Sequence, residues 1–259
     1  MKPEDVERIK ELLPTDLGSD EIRGKIAADI LRRAIFSARM ASATYLAKIR
    51  EVAAAMSAGK INQADARAQL LSALEQMGHS PLDDGGLKNP ASIRRLNLIL
   101  ETQTAMASSV ARMNEQTEST IEIFPAWQLA RLETRAVPRA DWMQRWNAAG
   151  AACNWEGALR RPMIALKSSP IWAELGNGAG GFRDTLGNPY PPFAYSSGLD
   201  WVDVDRATCE KLGLIKPAEK ISAPAAASLS PGERDIADAV KRYGFPDIGD
   251  LDIEGLSIS

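Results

Sequence analysis

The tryptophans of this chain are confined to one part of the sequence. All six lie between Trp127 and Trp201, where prolines are frequent and apolar residues come in short runs. Residues 20–57 are instead rich in Ala, Leu, Ile, Met, Arg and Lys, most of which favour helices. Because large aromatic side chains can supply most of a small core, we expect residues 121–215 to form a compact α+β domain with many turns.

Residues 20–57 contain no proline and one glycine, which predicts a helix about 57 Å long at 1.5 Å per residue. Asp20 is the expected cap and Gly59 the expected end. The apolar residues change sides midway, since Ile22 and Ile26 lie on one side and Leu46 on another. Such a helix is either broken near its middle or packed by different partners at its two ends.

Further elements follow from capping residues and from short apolar runs. Asn62 and Gly78 bound a second predicted helix, and a third is predicted from about Ser92 to Met113. Short strands are predicted at 121–123 and 129–132, a helical turn at 142–149 and a third short apolar run at 162–167. We also expect Tyr190–Tyr195, with its two adjacent prolines, to pack as a rigid knot on the tryptophans.

These features divide the chain into three parts. Residues 1–88 form a helical region, residues 89–215 the Trp-rich α+β domain, and residues 216–259 an extended tail. The tail contains an Ala/Pro/Ser-rich linker, a short helix opened by the capping box Ser230–Glu233, and an acidic end. Gly244–Ser259 holds four acidic residues, no basic ones and several aliphatic ones, so it either docks on a partner or frays.

The charge pattern suggests one surface for an anionic partner. The whole chain is nearly balanced, with 31 basic and 34 acidic residues, which argues against a uniformly cationic coat for nucleic acid. From Ile22 to Arg50, however, seven residues are basic and one is acidic. Lys25, Arg32, Arg39 and Arg50 would form a line along the predicted helix. This line is either a solvated face or a contact for an acidic protein surface or a phosphate backbone.

The residues that usually carry chemistry are sparse. His79 is the single histidine, and Cys153 and Cys209 have neither metal-ligand spacing nor a disulfide framework. Gly176–Gly181 matches G-x-G-x-x-G, but a turn-rich stretch follows it where a dinucleotide site needs a helix. We therefore predict no catalytic residue, metal or cofactor. No signal peptide or membrane span is predicted either.

Short segments spread over about residues 92–215 carry a resemblance to a known family. They are Arg94–Ala107, Phe124–Ala126, Leu132–Arg139, Pro170–Trp172, Tyr190–Gly198, Asp203–Arg206 and Leu212–Leu214. In order and spacing they resemble the phage head morphogenesis proteins, minor head proteins similar to protein F of phage Mu. The "R-x-x-P-R" segment and the Pro-Pro turn belong to this pattern. Ile35–Ile49 is more loosely similar to the helical N-terminal region of prophage members.

This sequence also departs from the family pattern at two places. Many relatives have a histidine after the "R-x-x-P" segment and a Cys-Arg-Cys near the Pro-Pro turn. Trp142 and Tyr195–Gly198 stand there instead. No metal or histidine role is therefore carried over to this chain.

The resemblance implies a structural virion protein, a minor head protein acting in head assembly and DNA packaging. Its partners would be the phage portal protein and other head or neck proteins, with packaged DNA a further candidate. Several copies around a ring, in the capsid interior or at the portal vertex, are implied, with host cytoplasm as the place of assembly and no membrane contact. The candidate partner or DNA contacts are Lys25, Arg32, Arg39, Arg50, Arg131, Arg135 and Arg139.

Two other functions remain open on the sequence. The C-terminal domain could carry an enzyme or toxin-like activity, with a polar pocket formed by Arg131, Glu133, Arg135 and Arg139. Alternatively, the line of basic residues between Lys25 and Arg50 could bind DNA, which predicts a steep dependence of affinity on salt concentration.

Overall fold

A computed structural model of the chain describes residues 1–80, 86–133, 139–155, 157 and 162–227. In chain order the elements are α1 (Pro3–Arg8), β1 (Glu11–Leu12), α2 (Ser19–Lys25), α3 (Ala28–Arg32), β2 (Ala34–Ile35), α4 (Ala43–Ser57), α5 (Gln63–Gln76), a 3₁₀ turn (Gly86–Lys88), α6 (Ile93–Asn114), α7 (Glu118–Ile123), β3 (Ala126–Arg131), α8 (Trp142–Ala152), β4 (Ile164–Leu166), α9 (Ile171–Asn177), β5 (Leu199–Val204) and α10 (Arg206–Lys211). The predicted α+β class, with helices followed by a Trp-rich unit, is confirmed.

The predicted continuous helix over residues 20–57 is wrong. Three helices and a two-residue strand occupy this segment, and the chain is extended at Ile26 and left-handed at Arg39, whose φ is 55°. The change of apolar side explains the breaks: Ile22 packs in a small cluster with Leu13, whereas Leu46 packs in the main helical core. One straight helix could not place both sides in their cores.

The caps of the helical region follow the sequence more closely. The side chains of Asn62 and Ser92 accept hydrogen bonds from the third backbone N–H of α5 and α6. Gly59 and Gly78 follow α4 and α5 with φ of 67° and 84°, which suits glycine. Asp20, by contrast, lies inside α2 and is not its cap. Helices α4, α5 and α6 then pack around one aliphatic cluster.

The tryptophans form the second core, as predicted. Among the described residues, three antiparallel strands pair in the order β4-β3-β5. Trp127 on β3 and Trp201 on β5 stack with ring centroids 3.7 Å apart, and Trp172 meets both rings edge-on. Phe193 of the Pro-Pro turn is fully buried and stacks on Trp172. The expected aromatic-proline knot is therefore present, although Tyr195 is only half-buried.

The short elements around this core were predicted less well. Residues 121–123 belong to helix α7, which the side chain of Thr117 caps, and not to a strand. The strand predicted at 129–132 begins earlier, at Ala126, and ends at Arg131. The predicted helical turn is α8, and the apolar run at 162–167 contains β4.

Helix α6 is common to both cores. Leu96 and Leu100 lie in the helical cluster, and Met106 and Val110, further along the same helix, lie in the tryptophan cluster. Val6 of α1 also reaches the tryptophan cluster. The predicted parts 1–88 and 89–215 are thus joined through α6. The boundary between them, at residues 88 and 89, stays a prediction.

The C-terminal part of the described chain returns to α6. Residues 216–227 contain no helix or strand, and the backbone of Ala227 exchanges two hydrogen bonds with the Asn114 side chain, of 2.9 and 3.5 Å. The predicted capping box at Ser230–Glu233, the acidic tail and Arg135 lie outside the described residues. Within the described ranges, no helix has the length and apolar character needed to cross a membrane.

Candidate functional site

Segments that carry the family resemblance meet on one side of the molecule. Arg139, at the end of the R-x-x-P-R segment, donates to the carbonyl oxygen of Tyr195 at 2.9 Å and forms an ion pair with Asp184. Arg131 donates to the carbonyl oxygen of Ser197 at 3.1 Å. Two arginines therefore tie this part of the chain to the Pro-Pro turn, which follows it by more than fifty residues.

Beside this junction, a cavity of about 390 Å³ opens between α6 and the chain on either side of it. Residues from α2 to the turn after β2 form one wall, α6 a second and residues 185–195 a third. The apolar lining residues are Ile22, Leu31, Phe36, Ala38, Leu87, Leu98, Ile99, Met106 and Leu186. This volume is within the usual range for ligand pockets.

The charged side chains that line this cavity are both arginines. Arg23 is paired with Asp20 on the exposed side of α2. Arg95 is 8% exposed and donates to neutral oxygens, including the Ser37 hydroxyl at 2.7 Å and the carbonyl oxygens of Ala38 and Leu87. It forms no ion pair with a carboxylate of any described residue. Burial lowers the pKa of Arg95, and the like charge of Arg39 lowers it further.

A second groove continues the cavity along α6. It has a volume of about 500 Å³ and shares Leu87, Leu98 and Tyr195 with the cavity. Arg94 and Arg139 line it together with one acid, Glu101. We call the cavity and this extension the basic groove. Its lining therefore combines apolar side chains with four arginines and one glutamate.

A buried polar cluster lies against the inner end of the cavity. Gln103 lines the cavity and accepts a hydrogen bond of 2.7 Å from the Lys10 ammonium. Lys10 also pairs with Glu7 at 3.4 Å, and both side chains are almost completely buried. Burial raises the pKa of Glu7 and lowers that of Lys10, while their mutual attraction opposes both shifts. This cluster fastens α1 to α6, because Glu7 lies in the last turn of α1, Lys10 lies two residues after that helix, and Gln103 lies on α6.

The predicted basic line does not form. Lys25 pairs with Glu21 at 3.2 Å on α2, while Arg32 at the end of α3 donates to the carbonyl oxygen of Gly187 at 2.7 Å. Arg50 on α4 donates to the carbonyl oxygen of Lys10 at 3.1 Å. Arg39 lies in the turn before α4. The prediction failed because the single helix on which it depended is broken, and two of the four residues fasten separate segments of backbone.

The residues proposed for an enzyme pocket have structural partners. Arg131 and Arg139 donate to backbone carbonyls, as described above, and Glu133 lines a small cleft of about 100 Å³ beside the Pro-Pro turn. Arg135 lies outside the described residues. Gly176–Gly181 begins at the end of α9, so a helix precedes these glycines instead of following them. Among the described residues, no three His, Cys, Asp or Glu side chains are grouped to hold a metal ion.

Sequence reasoning missed the residues that shape the groove. Arg95 stands in the Arg94–Ala107 segment that carries the resemblance, so a signal existed, but nothing in the local pattern showed that its side chain is buried. Lys10 and Glu7 gave no signal, since a short segment rich in charged residues usually lies in solvent. Their burial arises from contacts with α4 and α6 much later in the chain.

Comparisons with known proteins place no constraint on this site. No family model, curated protein or solved structure matches the chain. A function therefore has to be argued from the resemblance of the short segments and from the geometry of the residues that they contain.

Proposed function

We propose that this chain is a minor head protein of a bacteriophage or prophage. In this proposal it is a structural virion component that binds the portal protein and acts in head assembly and DNA packaging. It works through contacts with protein partners, has no catalytic role and is present in several copies around the portal ring. Packaged DNA is a further candidate partner. Its place would be the capsid interior or portal vertex, after assembly in the host cytoplasm.

The observation that carries this proposal is the junction between the family-like segments. The R-x-x-P-R segment and the Pro-Pro turn are far apart in sequence, yet Arg139 links them through the Tyr195 carbonyl oxygen at 2.9 Å. The Pro-Pro turn packs in turn on the tryptophan core through Phe193. Weak motifs that matched by chance would have no reason to join one another in the fold, so their contact supports the resemblance.

The surface is also suited to protein partners. Ile93, Ile123 and Leu132 are each more than half exposed. Covering an exposed aliphatic side chain with a partner is favourable, because it removes apolar surface from water. The basic groove adds a positive surface beside the junction. Charged surfaces of this kind speed association and select partners more than they add affinity.

Co-expression with the portal protein of the same phage or prophage tests the proposal. The complex is purified through a tag on the portal, and the bound chain is measured by size-exclusion chromatography. We expect the chain to elute with a ring-sized assembly. A purified portal ring that carries none of the chain, with the chain recovered as a free monomer in the unbound fraction, would contradict the proposal.

A pair of arginine variants tests whether the junction matters for this binding. Arg139→Met removes the ion pair and the hydrogen bond to the Pro-Pro turn, whereas Arg8→Met changes an exposed arginine on α1 whose one ion pair among the described residues is with its helix neighbour Asp5. We expect Arg139→Met to lower the recovered amount at least fivefold and Arg8→Met to leave it unchanged. Circular dichroism of both variants separates lost binding from lost folding. Equal recovery of the two variants would show that the junction does not shape the portal-binding surface.

A further inference from the structure

The basic groove has the chemistry of a site for an anionic, partly apolar segment. Arg95 holds a buried positive charge with no described carboxylate to neutralise it, and Arg23, Arg94 and Arg139 line the same groove. A buried charge without a counter-ion is costly. An occupant with acidic groups would reduce that cost, and apolar side chains on the same occupant would cover the aliphatic lining.

The chain contains such a segment outside the described residues. Asp250-Leu251-Asp252-Ile253-Glu254 alternates acidic and aliphatic residues. In an extended peptide, neighbouring side chains point to opposite sides. Leu251 and Ile253 would then share one side and the three carboxylates the other, so the aliphatic side could cover the apolar lining while the carboxylates lie towards Arg94 and Arg95 on α6.

The described chain leaves this segment within reach of the groove. Ala227 is held by Asn114 at the C-terminal end of α6. Leu98 lies sixteen residues back along the same helix, which is about 24 Å at 1.5 Å per residue. The 22 residues between Ala227 and Asp250 span up to about 75 Å when extended. A tether of this length keeps the segment at a high local concentration near the groove.

We propose that Asp250–Glu254 binds in the basic groove of its own chain. The segment would thereby cover the cavity between α2, α6 and the Pro-Pro turn and bring carboxylates to Arg94 and Arg95, since Arg23 and Arg139 already pair with Asp20 and Asp184. This inference concerns contacts within one chain. It does not depend on the proposed function, and it can be tested with no portal present.

Photo-cross-linking of the full chain provides the test. Ile253 is replaced by p-benzoylphenylalanine, the purified chain is irradiated, and the cross-linked peptides are identified by mass spectrometry. We expect links to residues 98–106 of α6 or to residues 185–195, in a product of monomer mass. Links only to other surfaces, or no internal link, would overturn the proposal. A product of dimer mass linked at the groove would overturn it in favour of a second copy as the occupant.

Two variants on α6 make the test specific. Leu98→Glu places a negative charge in the groove, where it repels the acidic segment, and we expect the yield of the link to fall at least tenfold. Ile93→Glu adds the same charge on the same helix at a side chain that is 60% exposed and does not line the groove. Its yield should stay within twofold of the unsubstituted chain. Equal yields for the two variants would contradict groove binding.

A third variant covers the case in which Leu98→Glu disturbs folding. Arg94 is exposed and lines the outer part of the groove, so Arg94→Glu reverses one charge without opening the core. We expect it to lower the yield at least threefold. Higher ionic strength should lower the yield in the unsubstituted chain as well, because exposed charges are screened by salt. A cross-link yield that changes neither with Arg94→Glu nor with ionic strength would show that the arginines do not hold the acidic segment in the groove.

Discussion

Asp203 on β5 neutralises a lysine that the fold has buried. Lys167 is 3% exposed, and its ammonium lies 2.8 Å from Asp203 and 2.7 Å from the Gln116 side-chain oxygen. Asp203 also pairs with Arg112 at 3.1 Å and accepts a hydrogen bond of 3.0 Å from the indole N–H of Trp127. These contacts join the end of α6, the residue after β4, and strands β3 and β5.

Removing this carboxylate should be costly. Asp203→Ala leaves the Lys167 charge buried, and breaking a fully buried ion pair typically costs about 3–5 kcal/mol; the low end applies here, because the Asp203 side chain is 38% exposed. Gln116 and the face of Trp127, 5.2 Å from the ammonium, still offer partial compensation. We therefore expect a loss of about 3 kcal/mol in the free energy of unfolding. For a chain of this size that corresponds to roughly 6–12 °C in Tm.

Urea unfolding followed by tryptophan fluorescence measures this loss directly, because Trp127 and Trp201 stand beside the ion pair. Lys167→Met removes the buried charge, so the double variant Lys167→Met/Asp203→Ala should recover a large part of the stability. A double-mutant cycle then gives the coupling between the two residues. A loss below about 1 kcal/mol for Asp203→Ala would be typical of an exposed pair. Such a small loss, or a coupling energy near zero, would show that Asp203 does not stabilise the fold by neutralising Lys167.

The same network has a pH dependence with a definite sign. Burial by itself would raise the pKa of Asp203, but the hydrogen bond and charge of Lys167, with help from Arg112, outweigh it and hold the pKa below its usual value. The unfolded carboxyl therefore binds protons more readily than the folded one. The stability that Asp203 provides is complete above its unfolded pKa of about 3.9 and is lost as the pH falls further, towards its folded pKa. Asp203→Ala should therefore lose less stability at low pH than at neutral pH.

Three further predictions test other parts of the fold. Gly176→Ala should lower the free energy of unfolding by about 3 kcal/mol or more, because its new Cβ would lie 1.7 Å from a backbone carbonyl oxygen. Gly24→Ala, on an open helical face, should raise the free energy of unfolding by about 0.5–1 kcal/mol. Urea titrations of the two variants compare these effects. Arg145→Met should cost about 1.5–3 kcal/mol by the same assay, since Asp141 and Asp184 lose their hydrogen bonds to this guanidinium while both carboxylates stay partly exposed and Asp184 keeps Arg139. Burial raises the pKa of both thiols, that of Cys209 to about 11, but only Cys153 is partly exposed. A thiol reagent at about pH 8 should therefore modify Cys153 and leave Cys209 unmodified until the chain unfolds.

Local signals in the sequence were sufficient for part of this fold. Asn62, Ser92 and the glycines after α4 and α5 mark helix ends by hydrogen bonds and backbone geometry that involve only near neighbours. The confinement of the tryptophans to one part of the chain likewise predicted their core. The helix caps depend only on near neighbours in the chain, and the tryptophans bury so much apolar surface that the details of packing do not change where the core forms.

The prediction failed where distant contacts decide the structure. Helix propensity favoured one helix through residues 20–57, but Ile22 and Leu46 belong to different clusters and the chain breaks between them. Ile121 and Ile123 have β-branched side chains suited to a strand, yet the hydroxyl of Thr117 caps residues 118–123 as a helix. Propensities are too small to resist such tertiary effects.

The candidate site was harder to predict than the fold. Arg139 could be named from the sequence because it ends a recognisable motif, but its partners, Asp184 and Tyr195, are more than forty residues away. The burial of Arg95 depends on Ser37 and Ala38, which come from a segment expected to be helical. A basic groove assembled from four separate stretches of chain has no signature in any one of them.

The mass of the complex formed with the portal protein tests whether this chain is a minor head protein that binds the portal ring. The two proteins are co-expressed, purified through the portal, and measured by native mass spectrometry together with portal rings prepared alone. We expect a ring heavier than the portal alone by a whole number of copies of this 28.0 kDa chain. Rings of unchanged mass, with this chain recovered separately as a folded monomer, would contradict it.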